Sequence, residues 1–481
     1  MSTNVPTTLD RQHNELGGVL DRDGWRHGRG RLVFHGGDLG NLKAVEEVVA
    51  CVVDYGSFIA IADKLSETMA KVYYYSPFEQ EFQNVRDCVK GDGLDKVIRL
   101  DHILDPDVLP TIDLFIFPDI GFEGLQRHLK SLGKAVWGNM GATDLELYRD
   151  VFLGVLKEVG LPAVHSQEIT GLSNLAKYLK ENEHKWVKIN RFRANMETWH
   201  HQDYQHSLRT LDSLAVILGG TKEHVIFVVQ DDIKSDMEVG YDGWCIDGKF
   251  PPLSFQGYEK KNELYLGSAL SEDELPDEIR VVNEAMAPVL ANYGYRNWWA
   301  TEIRIADGIP YFIDPTARMP GQTGEHQLES IENFADIIWQ GANGVIVKPK
   351  LKWKFAAEAT LHYEQQSKDI GNGEEWKTLH FPPKVLPWVK LYHYCILDGV
   401  YHFPPHHTDE VGVIIGGGDS IQDAIKNLVK NLEMLKGLPL HANAIGFANL
   451  VATVKEAEEQ GIPFGTKVPT PETINQILPD D

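Results

Sequence analysis

Short runs of consecutive apolar residues alternate with helical stretches in the first third of the chain. Arg31-Leu-Val-Phe-His-Gly-Gly-Asp-Leu-Gly40 reads as a strand running into glycines, followed by a helix from about Asn41 to Asp54. Lys71–Ser76, Asp113–Pro118 and Gly133–Gly138 are further buried-strand candidates. Strands alternating with helices predict an open parallel sheet. Asp144 to Gly160 has helical periodicity and stops at Gly160 and Pro162. Two more strands follow, Trp186–Asn190 and His224–Gln230, the second running into Asp231 and Asp232. Trp244–Ile246 then Asp247-Gly248 reads as a strand turning back on itself. Pro276 to Tyr293 is a helix with proline in its first turn. Beyond Gly344 the pattern changes. Leu351–Tyr363, Leu386–Tyr401 and Val411–Ile415 read as strands, and Asp419–Lys436 as a capped amphipathic helix. A helix and a proline-rich tail complete the chain to Asp481.

Asn297 to Gly324 says most about chemistry. It reads as two strands joined at Ala306-Asp307-Gly308, with Glu302 on the first and Asp314 on the second. The turn decides whether these acids cooperate. A strict two-residue turn puts them on opposite faces. A three-residue turn with Gly308 left-handed puts them on one face as diagonal neighbours. Two carboxylates so placed can share magnesium, and magnesium held by one or two carboxylates usually also holds nucleotide phosphates. An ordinary hairpin with two solvated acids is the alternative. Thr316 and Arg318 follow at the sheet edge.

Composition narrows the partners. The chain has 481 residues, 43% of them hydrophobic, enough for several packed domains. Its formal net charge of −24 disfavours nucleic acid and anionic membranes as partners. Cys51, Cys88, Cys245 and Cys395 form no CxxC pair, which fits a reducing compartment and argues against structural zinc. The polar start has no signal-peptide core, and no apolar run of about 18 residues is present. The expectation is a soluble cytoplasmic protein. Gly36–Gly40 lacks the full G-x-G-x-x-G spacing of a dinucleotide turn, so a nicotinamide enzyme is the weaker reading. Adjacent histidines, His200-His201 and His406-His407, point apart on a helix or strand and do not make a metal site.

From Arg31 to Lys436 the order of these pieces resembles the ATP-grasp superfamily of carboxylate–amine ligases, most of all its phosphoribosylamine–glycine ligase branch. The resemblance implies an α/β fold: a polar tail (1–30), an open parallel-sheet domain (31–135), an ATP-grasp domain (136–345) with a lid lobe at about 163–233, a small C-terminal α+β domain (346–437) and an extension (438–481). Val136–Phe152 is similar to the helix preceding the nucleotide domain, where the family has a phosphate-binding lysine and this chain has Arg149. Lys188 matches the second lysine, facing the α- and β-phosphates. The glycine-rich phosphate loop that follows in the family is replaced by Asn190–Thr198, with Arg191 and Arg193 as candidate phosphate contacts. Gln230, Asp231, Asp232 and Ile233 resemble the adenine hinge, and Glu238 the acid that accepts the ribose hydroxyls. Glu302 and Asp314 match the metal acids, with Thr316 where the family has asparagine. Arg318 matches a residue that contacts phosphate or substrate carboxylate, and Arg304, on the same strand face as Glu302, is a weaker candidate whose alternative role is to pair with Glu302. Gly412–Ile425 is similar to the closing domain, its glycines structural.

The resemblance implies ATP with magnesium or manganese, an acyl phosphate made from a substrate carboxylate, amine attack and ADP release. Lys188 and Arg318 would act on the reacting groups. The substrates are left open: glycine with phosphoribosylamine, or another amino acid with a peptide or modified nucleotide. The resemblance allows a homodimer. A member that binds nucleotide as a sensor or scaffold, without ligating, is the reading from another class.

Overall fold

The computed structural model describes residues 42–77, 89–190, 198–234, 237–364, 377–404 and 409–479. The Arg31–Gly40 strand and turn, Arg191, Arg193 and His406-His407 lie outside the described residues. The chain divides into two compact units, one spanning Leu147–Asp232 and a larger one combining Lys43–Glu146 with Ile233–Asp481.

The larger unit begins with a parallel sheet of β1 (Val49–Val53), β2 (Lys71–Tyr75), β3 (Val97–Arg99), β4 (Leu114–Ile116) and β5 (Ala135–Trp137), in the order β3-β2-β1-β4-β5. The expected open parallel sheet is present, with one correction. Residues predicted as a helix from Asn41 to Asp54 form a single 3-10 turn, Val45–Glu47, and then β1. The run Val49-Ala-Cys-Val-Val53 is rich in β-branched valine and nearly all buried. A central parallel strand is covered on both faces, so it carries no alternation to distinguish it from a buried helix. The predicted helix over Asp144–Gly160 is also broken. Tyr148, at φ −111° and ψ 100°, separates Thr143–Leu147 from Arg149–Glu158.

The smaller unit holds an antiparallel sheet of β6 (Ser166–Thr170), β7 (Lys185–Ile189), β8 (Thr198–His201) and β9 (Ile226–Asp231), ordered β6-β9-β7-β8. Its core packs Val187, Ile189, Phe227 and Val229 against Leu175, Leu179, Leu211 and Leu214 from two helices. Alternation along β7 buries Val187 and Ile189 and leaves Lys188 half-buried on the other face.

The rest of the larger unit is built on a nine-stranded antiparallel sheet. Its strands are β10 (Met237–Ile246), β11 (Leu253–Lys260), β12 (Leu264–Ser271), β13 (Arg296–Ala306), β14 (Ile309–Thr316), β15 (Phe355–Tyr363), β17 (Val389–Leu391), β20 (Glu410–Gly418) and β21 (Leu440–His441). The composition change near Gly344 does not interrupt it, because β15 pairs with β12. The single strand predicted over Leu386–Tyr401 is instead a 3-10 turn, then β17, β18 (Cys395–Leu397) and the start of β19 (Val400–Phe403). His393 and Asp398, at φ 51° and 50°, and Gly399, at φ 78°, turn the chain there. Strands β18 and β19 form a small separate sheet with β16 (Lys377–Leu379). The helix Asp277–Tyr293 ends as predicted, on Gly294 in the left-handed region.

Candidate functional site

The turn between β13 and β14 has two residues, Asp307 (φ 53°) and Gly308 (φ 72°), and pairs Ala306 with Ile309. Both positive φ values mark the hairpin turn whose twist matches the strands. This corrects both expectations for the acid pair. A two-residue turn would pair Glu302 with Ile313, but the register shifts between Glu302 and Ile303. Ile303 pairs with Phe312, whereas Glu302 pairs with Asp314. Ile313 is the extra residue of a β-bulge. The acids therefore stand directly opposite each other on one face, not diagonally and not on opposite faces.

A row of small residues continues from this pair across the sheet. Glu302 pairs with Gly240, Gly240 with Gly257, Gly257 with Gly267, and Gly267 with Ala356. The Tyr265 ring lies flat in that row, since a Cβ on Gly257 or Gly267 would come within 2.1 or 2.7 Å of it.

Burial pushes the Glu302 carboxyl well above the usual carboxylate range, and the charges of Asp314, Glu259 and Glu238 push the same way. Glu259 lies exposed at the end of β11 and adds its charge to the same cluster. Acids gather here beyond what Lys261 compensates, and a hard cation would relieve them. The donor set fits magnesium: carboxylate oxygens, with the Thr316 hydroxyl two residues beyond Asp314 on the same strand. Among the described residues no group of three or more His, Cys, Asp or Glu could hold a metal. The remaining positions would fall to water and phosphate oxygens, as is usual for magnesium.

Arg304, a candidate partner of Glu302, bonds Glu238, with Nε 3.1 Å from Oε2. Arg318 leaves the strand end and is held by acids that sequence reasoning did not single out. Its Nε donates to Glu146 Oε1 at 2.9 Å and lies 3.7 Å from Asp119. The other Glu146 oxygen accepts the Ala317 N–H at 3.0 Å. Burial works against the Arg318 charge, but Glu146 and then Asp119 outweigh it and raise its pKa.

In the smaller unit, Lys188 pairs with Thr198 of β8 and Val228 of β9. Arg149 opens the helix Arg149–Glu158 with its guanidinium 5.5 Å from the Phe152 ring centroid. Asn190, two residues after Lys188, ties these elements together. Its Oδ1 accepts the Arg149 N–H at 3.0 Å, and its Nδ2 donates to Asp150 at 3.2 Å. The hinge side chains have internal partners. Gln230 donates to Ser166 at 3.0 Å, Lys185 to Asp231 at 2.6 Å, and the Trp186 indole to Asp232 at 2.9 Å. His201 is buried between Ser207 and the Leu179 carbonyl, while His200 lies 3.5 Å from Asp232. Lys188, Arg149, Gln230, Asp231 and Asp232 fall on this unit. Ile233, Glu238, Glu302, Asp314, Thr316 and Arg318 fall on the larger one.

A buried polar layer on the large sheet also went unread. Tyr265 donates to Asp242 at 2.7 Å, and His326 stacks on Tyr265 at 5.5 Å. Burial raises Asp242 to about 7 and lowers His326 to about 3. His326 N–H donates to Glu358, and Tyr392 donates to Glu325 at 2.6 Å. Asp242, Tyr265 and Glu358 are polar positions inside apolar strands, a signal that was present but carried no ligand chemistry by itself.

No family model matches the chain, and no curated protein does. Solved structures do. Phosphoribosylamine–glycine ligase from Thermotoga maritima superposes with a TM-score of 0.59 at 13% identity, covering 82% of this chain and 98% of that one. The fold is that of the ATP-grasp ligases. The biotin carboxylase domain of Hydrogenobacter thermophilus 2-oxoglutarate carboxylase, solved with MgADP, ADP and bicarbonate, gives 0.54 at 13% identity, covering 87% and 96%. An L-amino acid ligase from Bacillus licheniformis gives 0.52 at 15% identity, covering 83% and 99%. The ATP-grasp likeness thus extends over most of the chain. Among the described residues no helix is long and apolar enough to cross a membrane.

Proposed function

We propose that this chain is an ADP-forming carboxylate–amine ligase using magnesium-ATP. The observation that carries the reading is the direct opposition of Glu302 and Asp314, on a sheet whose ATP-grasp neighbours include ligases and an MgADP complex. Magnesium would be held by Glu302 and Asp314, with Thr316 as a further oxygen, and would screen the charge between a carboxylate and the γ-phosphate. Lys188 and Arg149 are the candidates for the phosphates, with Arg193 as a further one. Backbone groups at Gln230–Ile233 are the candidates for adenine. Arg318 would orient the acceptor carboxylate or the transferred phosphoryl group, its guanidinium aimed by Glu146. The substrate carboxylate is itself the nucleophile, so no side chain needs to be one. The lobe from about 163 to 233 would act as a lid, because an acyl phosphate must be kept from water.

The test is ADP and phosphate release with magnesium-ATP against pools of amino acids and amines, including phosphoribosylamine, with Asp314→Asn as control. Acceptor-dependent release lost in Asp314→Asn supports the ligase. Absence of ATP binding sinks it. The Arg304–Glu238 pair favours a second reading, a nucleotide-binding sensor, because the ribose acceptor already has an internal partner. ATP binding without turnover on any pool would support that reading.

A further inference from the structure

The parallel sheet reverses its strand order between β1 and β4. In open parallel sheets, ligands bind beyond the C-terminal strand ends at such a reversal, and backbone N–H groups at the following helix N-terminus are the usual cradle for phosphate. Strand β1 leads into Asp54-Tyr55-Gly56-Ser57 and the helix Ile59–Ser66. Here the cradle is filled from within. Asp54 is fully buried, its Oδ1 accepts the Gly56 N–H at 3.0 Å, and its Oδ2 accepts the Phe58 N–H at 2.5 Å. The Tyr74 hydroxyl donates to the same carboxylate.

His393 closes the turn from outside. Its N–H donates to the Gly56 carbonyl at 2.7 Å, and its Nε2 lies 3.3 Å from Ser57 Oγ. A Cβ on Gly56 would come 2.7 Å from His393 Nδ1. Beyond β4, Asp119 adds its negative charge to that of Asp54. A phosphate arriving here meets occupied amides and two carboxylates, while the nearby cations are already engaged, Lys90 by the Tyr55 carbonyl at 2.8 Å and Arg318 by Glu146 and Asp119.

We propose that Asp54 is a specificity determinant that stands in the place of a phosphate, so that the acceptor handled at this sheet edge is a non-phosphorylated amine rather than a sugar phosphate. The proposal rests on the ligase reading for the word acceptor, but the exclusion of phosphate can be measured without turnover. Protein saturated with magnesium-ADP and labelled with 15N-glycine and 15N-phenylalanine is titrated with inorganic phosphate. The Gly56 and Phe58 amide signals are expected not to move in the wild type, and at least one of them to move in Asp54→Ser, whose single hydroxyl oxygen cannot occupy both N–H groups as the two carboxylate oxygens do. A wild-type shift at submillimolar phosphate overturns the proposal, and so does a folded Asp54→Ser that gains no binding. If Asp54→Ser does not fold, the wild-type titration still decides. In the ligase assay, an acceptor amine should exceed its phosphate ester by about tenfold or more in kcat/KM, because like charges brought together are costly. The reverse preference overturns the proposal. Lack of ADP binding would instead sink the ligase reading, leaving the phosphate titration of the free protein to judge Asp54.

Discussion

Glu302 and Asp314 face each other across β13 and β14 because one residue, Ile313, is bulged out between them. On a regular strand Phe312 and Asp314 would share a face. Phe312 is core, packed edge-on against Trp299 at 6.1 Å. Without the bulge Asp314 would be drawn to that apolar face, and the pair would not exist. Bulges re-aim side chains in this way near active sites.

Neutralising either acid should cost nucleotide affinity only when magnesium is present. Glu302→Gln and Asp314→Asn are expected to weaken magnesium-ADP binding by at least the ~10–100-fold in metal affinity that loss of a metal site's outer partners costs. Their binding of ADP in EDTA should match the wild type in calorimetry. Equal magnesium-ADP affinity in all three proteins would remove the pair from the metal site.

Asp242 sets a pH dependence of stability. Burial raises it to about 7, above the unfolded value of about 4. The folded state therefore holds an extra proton between these values. Its stabilising contribution is fully present below about pH 4 and is lost as pH rises towards 7. Asp242→Asn can still accept from Tyr265 but cannot ionise. Urea denaturation should show it more stable relative to the wild type at pH 8 than at pH 5. An unchanged difference would place the Asp242 titration elsewhere.

Glu146 answers both a buried guanidinium and a backbone N–H. Glu146→Ala removes that partner from both but leaves Arg318 with Asp119 and the Met319 carbonyl, so the cost should fall below the roughly 3–5 kcal/mol of leaving a buried charge uncompensated. Glu146→Gln should cost less, since its amide oxygen still accepts from one donor. Denaturation midpoints rank the variants, and in an active protein the loss should fall on the KM of the substrate that Arg318 orients.

Gly257→Ala places a methyl group 2.1 Å from the Tyr265 ring. The ring must lift from the sheet, which breaks its bond to Asp242 and its stacking on His326. Overpacking of this kind costs about 1–3 kcal/mol. A fall in thermal midpoint with a changed near-ultraviolet spectrum is expected, and Tyr265→Phe combined with Gly257→Ala should recover little, because the ring itself is the obstacle.

Periodicity and turn residues made much of the architecture legible. The parallel strands at Lys71, Asp113 and Gly133, the helix ending at Gly294 and the hairpin carrying Glu302 and Asp314 follow from local chemistry that each segment carries alone. Val49–Val53 was misread because a strand buried on both faces has no alternation, and only its neighbours β2 and β4 make it a strand. The acid pair shows the same limit more sharply. The sequence leaves the turn open between two and three residues, and the two-residue turn that forms at Asp307-Gly308 would by itself part the acids to opposite faces. Their opposition is a matter of register, settled by where Phe312 is buried. Likewise Asp54 reads in the chain as one more acid, at the end of the helix predicted from Asn41. It becomes a surrogate anion only because the sheet order brings Gly56, Phe58 and Tyr74 around its carboxylate, a convergence of distant donors that no local pattern encodes.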